Sequence, residues 1–403
     1  MIKNIFKMTP RNLSKILLLV LFVFIFNHCD DSKNKPQTQI LQDTTQLHNH
    51  SVKQVIPTDP FPLIKYHLDT IQTRQELREI IRKYRKVKGN FPAYKAFITL
   101  NRKELRFVRV GQAVVIPDTI IADMRAYSVF PYYYPGAKNI KKIIMVSNRY
   151  QSYGCYEYGK LVRFAAVNSG KERTPSYPGR YAITWKEKDH LSSIDSNWHM
   201  PYTINFHRNA GSALHKFTMP GHPASHSCVR QFIDDAEWLY YWVDTEKYDA
   251  DKKPIPFSGT PLVIIDYYDF SPGKGYQWKY LKNNKEDINY LSKDPMSVEE
   301  ALIPICQIPL MARGNLKNYK RFLYAEDTLR ARGVIRPGVR LTHTRDFNKE
   351  RREREKKERE RLQQHLQDSL KNVKIHQDSI NSLKKIDTSG HNSNIPDTLT
   401  IIR

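Results

Sequence analysis

Short apolar runs are concentrated in the middle of this chain. Residues 142–147, 161–167 and 259–265 are continuously apolar or alternate between apolar and polar positions, and Gly, Pro and Asn residues separate them. Runs of β-branched and aromatic residues bounded by such turn-formers are typical of strands. The pattern therefore predicts a mostly β domain over residues 140–267.

A different spacing predicts helices on both sides of these strands and one among them. Between residues 73 and 88, apolar side chains recur at intervals of three and four, as in an amphipathic helix: Leu77, Ile80, Ile81 and Tyr84. A second helix is predicted over 234–243, where Asp234 and Asp235 suit a helix N-terminus. The fold class is thus a mostly β domain with flanking α/β and α-helical segments.

Residues 347–375 predict a long, exposed, charged helix, because 349–361 is an unbroken run of charges of both signs. Four apolar residues form a stripe at its far end: Leu362, Leu366, Leu370 and Val373. A stripe this short indicates a frayed helix or a weak oligomerisation seam, so the oligomeric state stays unknown. Residues 376–403 are rich in Ser, Asn and Asp and predict a disordered tail.

Residues 1–29 have the pattern of an export signal. Four basic residues precede an apolar run at 16–26, which is shorter than the roughly 20 residues of a spanning helix but fits a secretory signal peptide. Cys29 follows where a lipoprotein cysteine would be lipidated, although His28 is larger than the usual preceding residue, so ordinary cleavage or an uncleaved anchor stays open. We expect a protein of the cell envelope and periplasm, lipid-anchored to a membrane.

Three further segments complete the predicted organisation. Residues 30–60 are polar and predict a flexible tether. Residues 61–125 predict a small α/β module, and its segment 110–117 resembles the end of a LysM-type peptidoglycan-binding module; a packing element that supports the β domain is the alternative. Residues 270–345 predict an accessory lobe over the cleft, with no chemistry assigned.

The composition supports globular cores and argues against one class of partner. Of 403 residues, 40% are hydrophobic and 11% aromatic, which suffices for sizeable cores. The net charge of +24 would attract a polyanion. Much of this charge lies outside residues 140–267, however, and the sequence contains no nucleic-acid-binding motif. We therefore expect no nucleic-acid partner.

Candidate chemistry is concentrated in residues 215–230, which contain a cysteine, several histidines and an arginine among turn-forming residues. A thiol with its usual pKa of about 8.5 is mostly protonated at neutral pH. A nucleophilic Cys228 therefore needs an imidazole to accept its proton, and His215 or His226 can supply one. The alternative is a buried cysteine beside surface histidines.

The segment 225–230, Ser-His-Ser-Cys-Val-Arg after His215, resembles the signature of the L,D-transpeptidase catalytic domain, the YkuD-type family. That signature is an upstream His followed by Ser/Thr-His-Gly-Cys-apolar-Arg/Asn. Residues 168–183 are similar to the family's Ser-x-Gly and Thr-Pro-x-Gly passage, and 259–265 to its closing strand. The resemblance covers about 140–267 and implies an L,D-transpeptidase-like β-sandwich.

The resemblance also implies roles for individual residues. Cys228 would be the nucleophile and His215 the general base, while His226 would orient His215, line the oxyanion pocket or be purely structural. Ser225, Ser227 and Arg230 would bind substrate or shape the oxyanion loop. Arg230 would bind a substrate carboxylate, or else form an ion pair with Asp234 or Asp235. His222 is expected to be a bystander.

One residue departs from the family pattern, since Ser227 stands where the family has Gly. Gly is used where φ is positive, so the change either strains the loop or is harmless because a Ser side chain removes no N–H. Two other cysteines, Cys155 and Cys306, are either a disulfide or two inert thiols.

The implied reaction is cleavage of a peptidoglycan stem peptide after its third residue and transfer of the acyl group to an amine of a second stem. The resemblance implies no metal or organic cofactor, and the clustered histidines do not form a convincing zinc-ligand set. A carboxypeptidase or endopeptidase on the same scaffold and an inactive peptidoglycan-binding lipoprotein are the alternatives.

Overall fold

The computed structural model describes residues 56–285, 291–345 and 347–387. The predicted signal peptide, the lipidation site Cys29 and nearly all of the predicted tether lie outside the described residues. No described helix is long and apolar enough to cross a membrane.

The described part of the chain contains these strands in order: β1 (Tyr66–Thr70), β2 (Ala113–Pro117), β3 (Ile143–Ser147), β4 (Ser152–Glu157), β5 (Lys160–Asn168), β6 (Gly179–Ala182), β7 (Trp185–Leu191), β8 (His199–His207), β9 (Ser212–Lys216), β10 (Val229–Gln231) and β11 (Pro261–Ile264). Its α-helices are α1 (Arg74–Lys83), α2 (Phe91–Asn101), α3 (Ile233–Trp242), α4 (Tyr319–Leu323), α5 (Ala325–Ala331) and α6 (Phe347–Asp387).

Nine strands form one sheet in the order β6-β11-β3-β4-β5-β10-β9-β8-β7. The sheet curls, because strands from both of its halves contribute to one hydrophobic core. Tyr181 of β6 and Phe206 of β8 are far apart in strand order, yet their rings meet edge to face with centroids 5.0 Å apart. The prediction of a mostly β domain with a sandwich-like core and flanking helices is confirmed.

Both faces of the central strand β3 are covered, which explains why its sequence is almost continuously apolar. Every residue of β3 is buried. Ile144 and Val146 belong to the core that the curled sheet encloses, whereas Ile143 and Met145 belong to a second cluster on the opposite face. Side chains alternate between the faces of a strand, so a strand between two cores shows no polar alternation.

The elements β1, α1, α2 and β2 form a β-α-α-β module, in which β1 and β2 pair antiparallel. β1, α2 and β2 contribute to the second core, whereas α1 packs on a third cluster. α1 begins after Thr73, whose side chain accepts a hydrogen bond from the N–H of Glu76. All α2 residues from Lys95 to Asn101 are buried. The module thus packs closely on the β domain, and its resemblance to a LysM-type module stays a prediction.

A buried charge cluster joins this module to the helix that follows the candidate nucleophile. Asp235 of α3 is fully buried, and its carboxylate lies 2.7 Å from Nζ of Lys95 in α2 and 2.6 Å from Nη2 of Arg163 in β5. Removing one partner of such a cluster leaves an uncompensated buried charge, which typically costs about 3–5 kcal/mol. The cluster therefore fixes α2, β5 and α3 to one another.

Residues 291–345 form short 3-10 helices together with α4 and α5. Their apolar residues, among them Leu302, Ile303 and Leu329, complete the same core as the curled sheet. The predicted accessory lobe therefore shares the core of the β domain.

The predicted C-terminal helix extends further than expected. α6 ends at Asp387 rather than at residue 375, so the prediction of disorder was wrong for 376–387. This stretch contains no Gly or Pro that would end a helix. The residues from 388 onward lie outside the described part.

Candidate active site

A cleft of about 410 Å³ contains Cys228, His215, His226 and Arg230. β9 and β10 supply the floor of this cleft, because these two strands pair in parallel next to each other in the sheet. The candidate residues, which are up to fifteen positions apart in the sequence, are therefore brought together.

The register of β9 and β10 explains why three of these side chains share a face. Leu214 pairs with Val229, and both are fully buried on the core side. Arg230 pairs with His215, so the two side chains lie next to each other on the opposite face, toward the cleft. Cys228 directly precedes Val229 and reaches the same cleft.

The Cys228 thiol is half-buried, and desolvation raises its pKa above the ordinary value. A hydrogen bond from the Ala213 backbone and the positive charge of Arg230 act in the opposite direction but do not cancel this effect. The resting cysteine is therefore a neutral thiol at neutral pH. A neutral thiol needs a base at the moment of attack.

His215 supplies a neutral imidazole in the same cleft. Its Nδ1 lies 3.0 Å from the carbonyl oxygen of Lys216, to which it donates, and this leaves Nε2 unprotonated with a free lone pair. Burial lowers the pKa of His215 to about 4, so the imidazole is neutral at neutral pH. A neutral imidazole with a fixed tautomer can accept a proton at Nε2.

The ring of His226 is engaged differently. Its Nε2 lies 3.1 Å from Nζ of Lys171, and its face lies against Trp198, with ring centroids 5.1 Å apart. Burial and the charges of Lys171 and Arg230 lower the pKa of His226 to about 4. Because the neutral ring accepts a hydrogen bond from the ammonium at Nε2, that nitrogen is not free to accept the thiol proton. Within the described residues, no hydrogen bond joins His226 to His215.

Arg230 points into the cleft without a carboxylate partner in the described part of the chain. Its Nη1 lies 3.3 Å from the carbonyl oxygen of Thr218, and its guanidinium lies 4.6 Å from the ring centroid of Phe217. The alternative ion pair with Asp234 or Asp235 is not formed, because Lys95 contacts both carboxylates and Arg163 contacts Asp235. The guanidinium thus remains available for an anionic ligand.

The two serines of the motif line the cleft, and their polar groups form hydrogen bonds that hold the loop. Buried Ser225 donates a hydrogen bond from Oγ to the carbonyl oxygen of Cys228. Ser227 donates its backbone N–H to the carbonyl of Thr174 at 3.0 Å, so this N–H is not available to an oxyanion. The next main-chain N–H in the loop that could donate to an oxyanion is that of Cys228.

Ser227 adopts the conformation that the glycine of the family pattern would adopt, with φ at 78°. Its Oγ lies 2.9 Å from Oγ of Ser212, and its carbonyl accepts a hydrogen bond from Oγ of Ser176 at 2.8 Å. The loop therefore keeps a left-handed residue at this position, and the side-chain contact with Ser212 offsets part of the strain.

We expect Ser227→Gly to be more stable than Ser227→Ala by about 1 kcal/mol, because both lose the contact with Ser212 but only alanine keeps the strain of positive φ. Urea unfolding of the two variants measures this difference. Equal midpoints in the two variants would show that the loop relaxes away from positive φ.

Several residues that line the cleft or contact its side chains could not be identified from the sequence. Lys171 follows the Asn-Ser-Gly turn and contacts Nε2 of His226, although it does not itself line the cleft. Thr342, His343, Thr344 and Arg345, together with Gln307 and Pro309, form a wall from a region without a regular pattern. Backbone N–H groups of Thr342 and Thr344 hold this wall in place through the carbonyls of Arg173 (2.8 Å) and Cys306 (2.9 Å).

The remaining predicted residues lie elsewhere. His222 does not line the Cys228 cleft, and its Nδ1 contacts the carbonyl of Pro223 at 3.0 Å. Cys155 and Cys306 are free thiols rather than a disulfide, and burial raises the pKa of Cys155 well above its ordinary value. In the described ranges, no group of three or more His, Cys, Asp or Glu residues is arranged to hold a metal ion.

Residues 141–264 match the model of the YkuD family, described as the L,D-transpeptidase catalytic domain. No curated protein matches the chain. Among solved structures, an L,D-transpeptidase (Yku) from Stackebrandtia nassauensis is 25% identical with a TM-score of 0.25, and the match covers 31% of this chain and 56% of that one.

For two other solved structures, the match with this chain covers nearly their whole length. An L,D-transpeptidase from Xylanimonas cellulosilytica is 21% identical with a TM-score of 0.27, over 52% of this chain and 98% of that one. The catalytic domain from the E. faecium L,D-transpeptidase is 20% identical with a TM-score of 0.24, over 31% and 96%. The family match over 141–264 spans the strands and the cysteine of the cleft, so this part of the chain is similar to the YkuD-type L,D-transpeptidase catalytic domain.

Proposed function

We propose that the chain is a peptidoglycan L,D-transpeptidase of the cell envelope, with Cys228 as nucleophile and His215 as general base. One observation carries this proposal. Cys228 and His215 line the same cleft, and the Lys216 carbonyl binds Nδ1 of His215, whereas Nε2 of His226 forms a hydrogen bond with Lys171.

In the first half of the reaction, Sγ of Cys228 attacks the carbonyl carbon of the scissile peptide as Nε2 of His215 takes the thiol proton. The N–H of Cys228 donates to the developing oxyanion. When the tetrahedral intermediate collapses, the C–N bond breaks, the leaving amine takes the proton from His215, and a thioester remains on Cys228.

In the second half, an amine of another stem peptide attacks the thioester carbonyl, and His215 takes a proton from this amine. The C–S bond breaks, and the proton returns to Sγ, which restores the resting thiol. Because the pKa of His215 is about 4, the imidazole holds a proton only transiently at neutral pH, as a catalyst of both steps requires.

The position of Arg230 favours a substrate that carries carboxylates. Its guanidinium lies beside His215 in the register of the sheet, and its contacts in the described structure are neutral groups. A forked guanidinium binds a carboxylate through two parallel hydrogen bonds. Arg230 would thus orient a stem peptide by an acidic group close to the scissile bond.

The test is to incubate the purified chain with disaccharide-tetrapeptides and to identify the products by mass spectrometry. Cross-linked dimers together with released D-alanine would support transfer. Tripeptides without dimers would replace the transferase by a hydrolase that uses the same thioester. An unchanged substrate would contradict both reactions and favour a binding protein.

A further inference from the structure

A second concavity, of about 400 Å³, lies outside the Cys228 cleft and shares none of its lining residues. Three separate parts of the chain line it: residues within 103–113, from the end of α2 to the first residue of β2, the spacer Pro220, Gly221 and His222, and the pair Tyr276 and Lys279. We call it the Lys103 pocket. Its position, between the N-terminal module and the spacer that joins His215 to Cys228, gives it contact with both.

Three cations of the Lys103 pocket have only neutral hydrogen-bond acceptors within the described structure. Nζ of Lys103 lies 2.9 Å from Oε1 of Gln112, and Nζ of Lys279 lies 3.0 Å from the carbonyl oxygen of Ala113. Nη1 of Arg109 lies 2.8 Å from the carbonyl oxygen of Val108. Residues 56–285, 291–345 and 347–387 supply no carboxylate partner for any of the three.

The nearby acidic residue Glu104 is already engaged. Its carboxylate lies 2.6 Å from Nε of Arg106 and accepts the N–H of Met219 at 3.0 Å. The positive charge of the pocket is therefore not neutralised by its own surroundings.

Bringing these charges together disfavours the charged form of Lys103, whose residue is only 8% exposed. Burial, followed by the charges of Lys279 and Arg109, lowers the pKa of Lys103 to about 8. Like charges held together in a partly buried place are destabilising unless an opposite charge joins them. An anion in the pocket would remove this cost and satisfy the open donors.

We propose that the Lys103 pocket is a binding site for an oxyanion group, a phosphate or a carboxylate of a small ligand. The ammonium groups and the guanidinium supply charge-assisted hydrogen bonds. Phe107 and Tyr276 add aromatic walls, and Nζ of Lys279 lies 4.7 Å from the ring centroid of Tyr276. The inference does not depend on the proposed transpeptidase reaction.

The occupant would rest against the spacer between the candidate base and nucleophile. A Cβ at Gly221, whose φ is 90°, would lie 2.5 Å from Cε of Lys103. The N–H of Glu104 donates to the carbonyl of Met219 at 2.9 Å. The stem of Lys103 is thus packed on the spacer, and its charged end faces the pocket.

The test measures binding of inorganic phosphate and of succinate to the full chain by isothermal titration calorimetry. We expect Lys103→Met and Lys279→Met each to weaken binding of the preferred anion about tenfold or more, since each removes one charge-assisted hydrogen bond. Lys274→Met is the matched control, because this exposed lysine lies in the same segment but not in the pocket. Its affinity should equal that of the unaltered chain.

Tighter binding of phosphate would identify a phosphate site, and tighter binding of succinate a carboxylate site. Thermal unfolding supplies a second readout that does not require Lys103→Met to fold. At one anion concentration, the preferred anion should raise the Tm of the unaltered chain and of Lys274→Met more than that of Lys279→Met. Failure of both anions to bind, or equal affinities in all variants, would overturn the proposal.

Discussion

Replacing Cys228 with alanine is expected to lower turnover of stem peptides by about 10⁴–10⁶-fold, because none of the other described cysteines lines the cleft to form the thioester. The substitution removes only Sγ, whose hydrogen-bond acceptor is the Gly211 carbonyl at 3.9 Å. The free energy of unfolding should therefore change by less than about 1 kcal/mol. Product formation from disaccharide-tetrapeptides and circular dichroism measure the two effects on the same sample.

Cys306→Ala is the matched control, since this free thiol is also half-buried and lies outside the Cys228 cleft. Its turnover should equal that of the unaltered chain. Substantial residual turnover in Cys228→Ala, or its loss in Cys306→Ala, would show that the wrong cysteine has been assigned.

Replacing His215 with alanine is expected to slow acylation of Cys228 by about 10²–10⁴-fold, the usual contribution of a general base. The reason is geometric, because the backbone carbonyl of Lys216 fixes Nδ1 as the donor and leaves Nε2 as the acceptor. Rapid-quench sampling followed by intact-protein mass spectrometry measures the acylation rate directly.

The rate of Cys228 acylation is also expected to depend on pH. Burial lowers the pKa of His215 to about 4, so the base is unprotonated above that pH and is lost only as the pH falls through about 4. His226→Ala should slow acylation less than tenfold, because Nε2 of His226 already accepts a hydrogen bond from Lys171. A larger loss in His226→Ala than in His215→Ala would exchange the two roles.

The strands and the motif loop could be predicted from sequence because their signals are local. The apolar runs at 142–147 and 161–167 correspond to β3 and β5, and the spacing from residue 73 corresponds to α1. A positive φ at position 227 could also be expected, because the family pattern has glycine there. The structure has this positive φ, with serine at the position.

The electrostatic partners could not be predicted, because they join residues far apart in the chain. Sequence spacing suggested that Arg230 pairs with Asp234 or Asp235, four and five residues away. The carboxylate of Asp235 instead contacts Lys95, 140 positions earlier, and Arg163. The contact between Lys171 and His226, and the wall at 342–345, likewise depend on the tertiary fold rather than on any periodic pattern.

The wall and core contributed by residues 301–345 determine how the chain can be divided for expression. A fragment that ends at residue 264 would retain every strand of the sheet and the cysteine, and would cover the family match. It would nevertheless expose the core that Leu302, Ile303 and Leu329 cover, and newly exposed apolar surface promotes aggregation. The fragment would also lack one side of the cleft. The shortest clone that keeps a closed cleft must therefore continue at least through Arg345, far beyond the boundary that sequence similarity suggests.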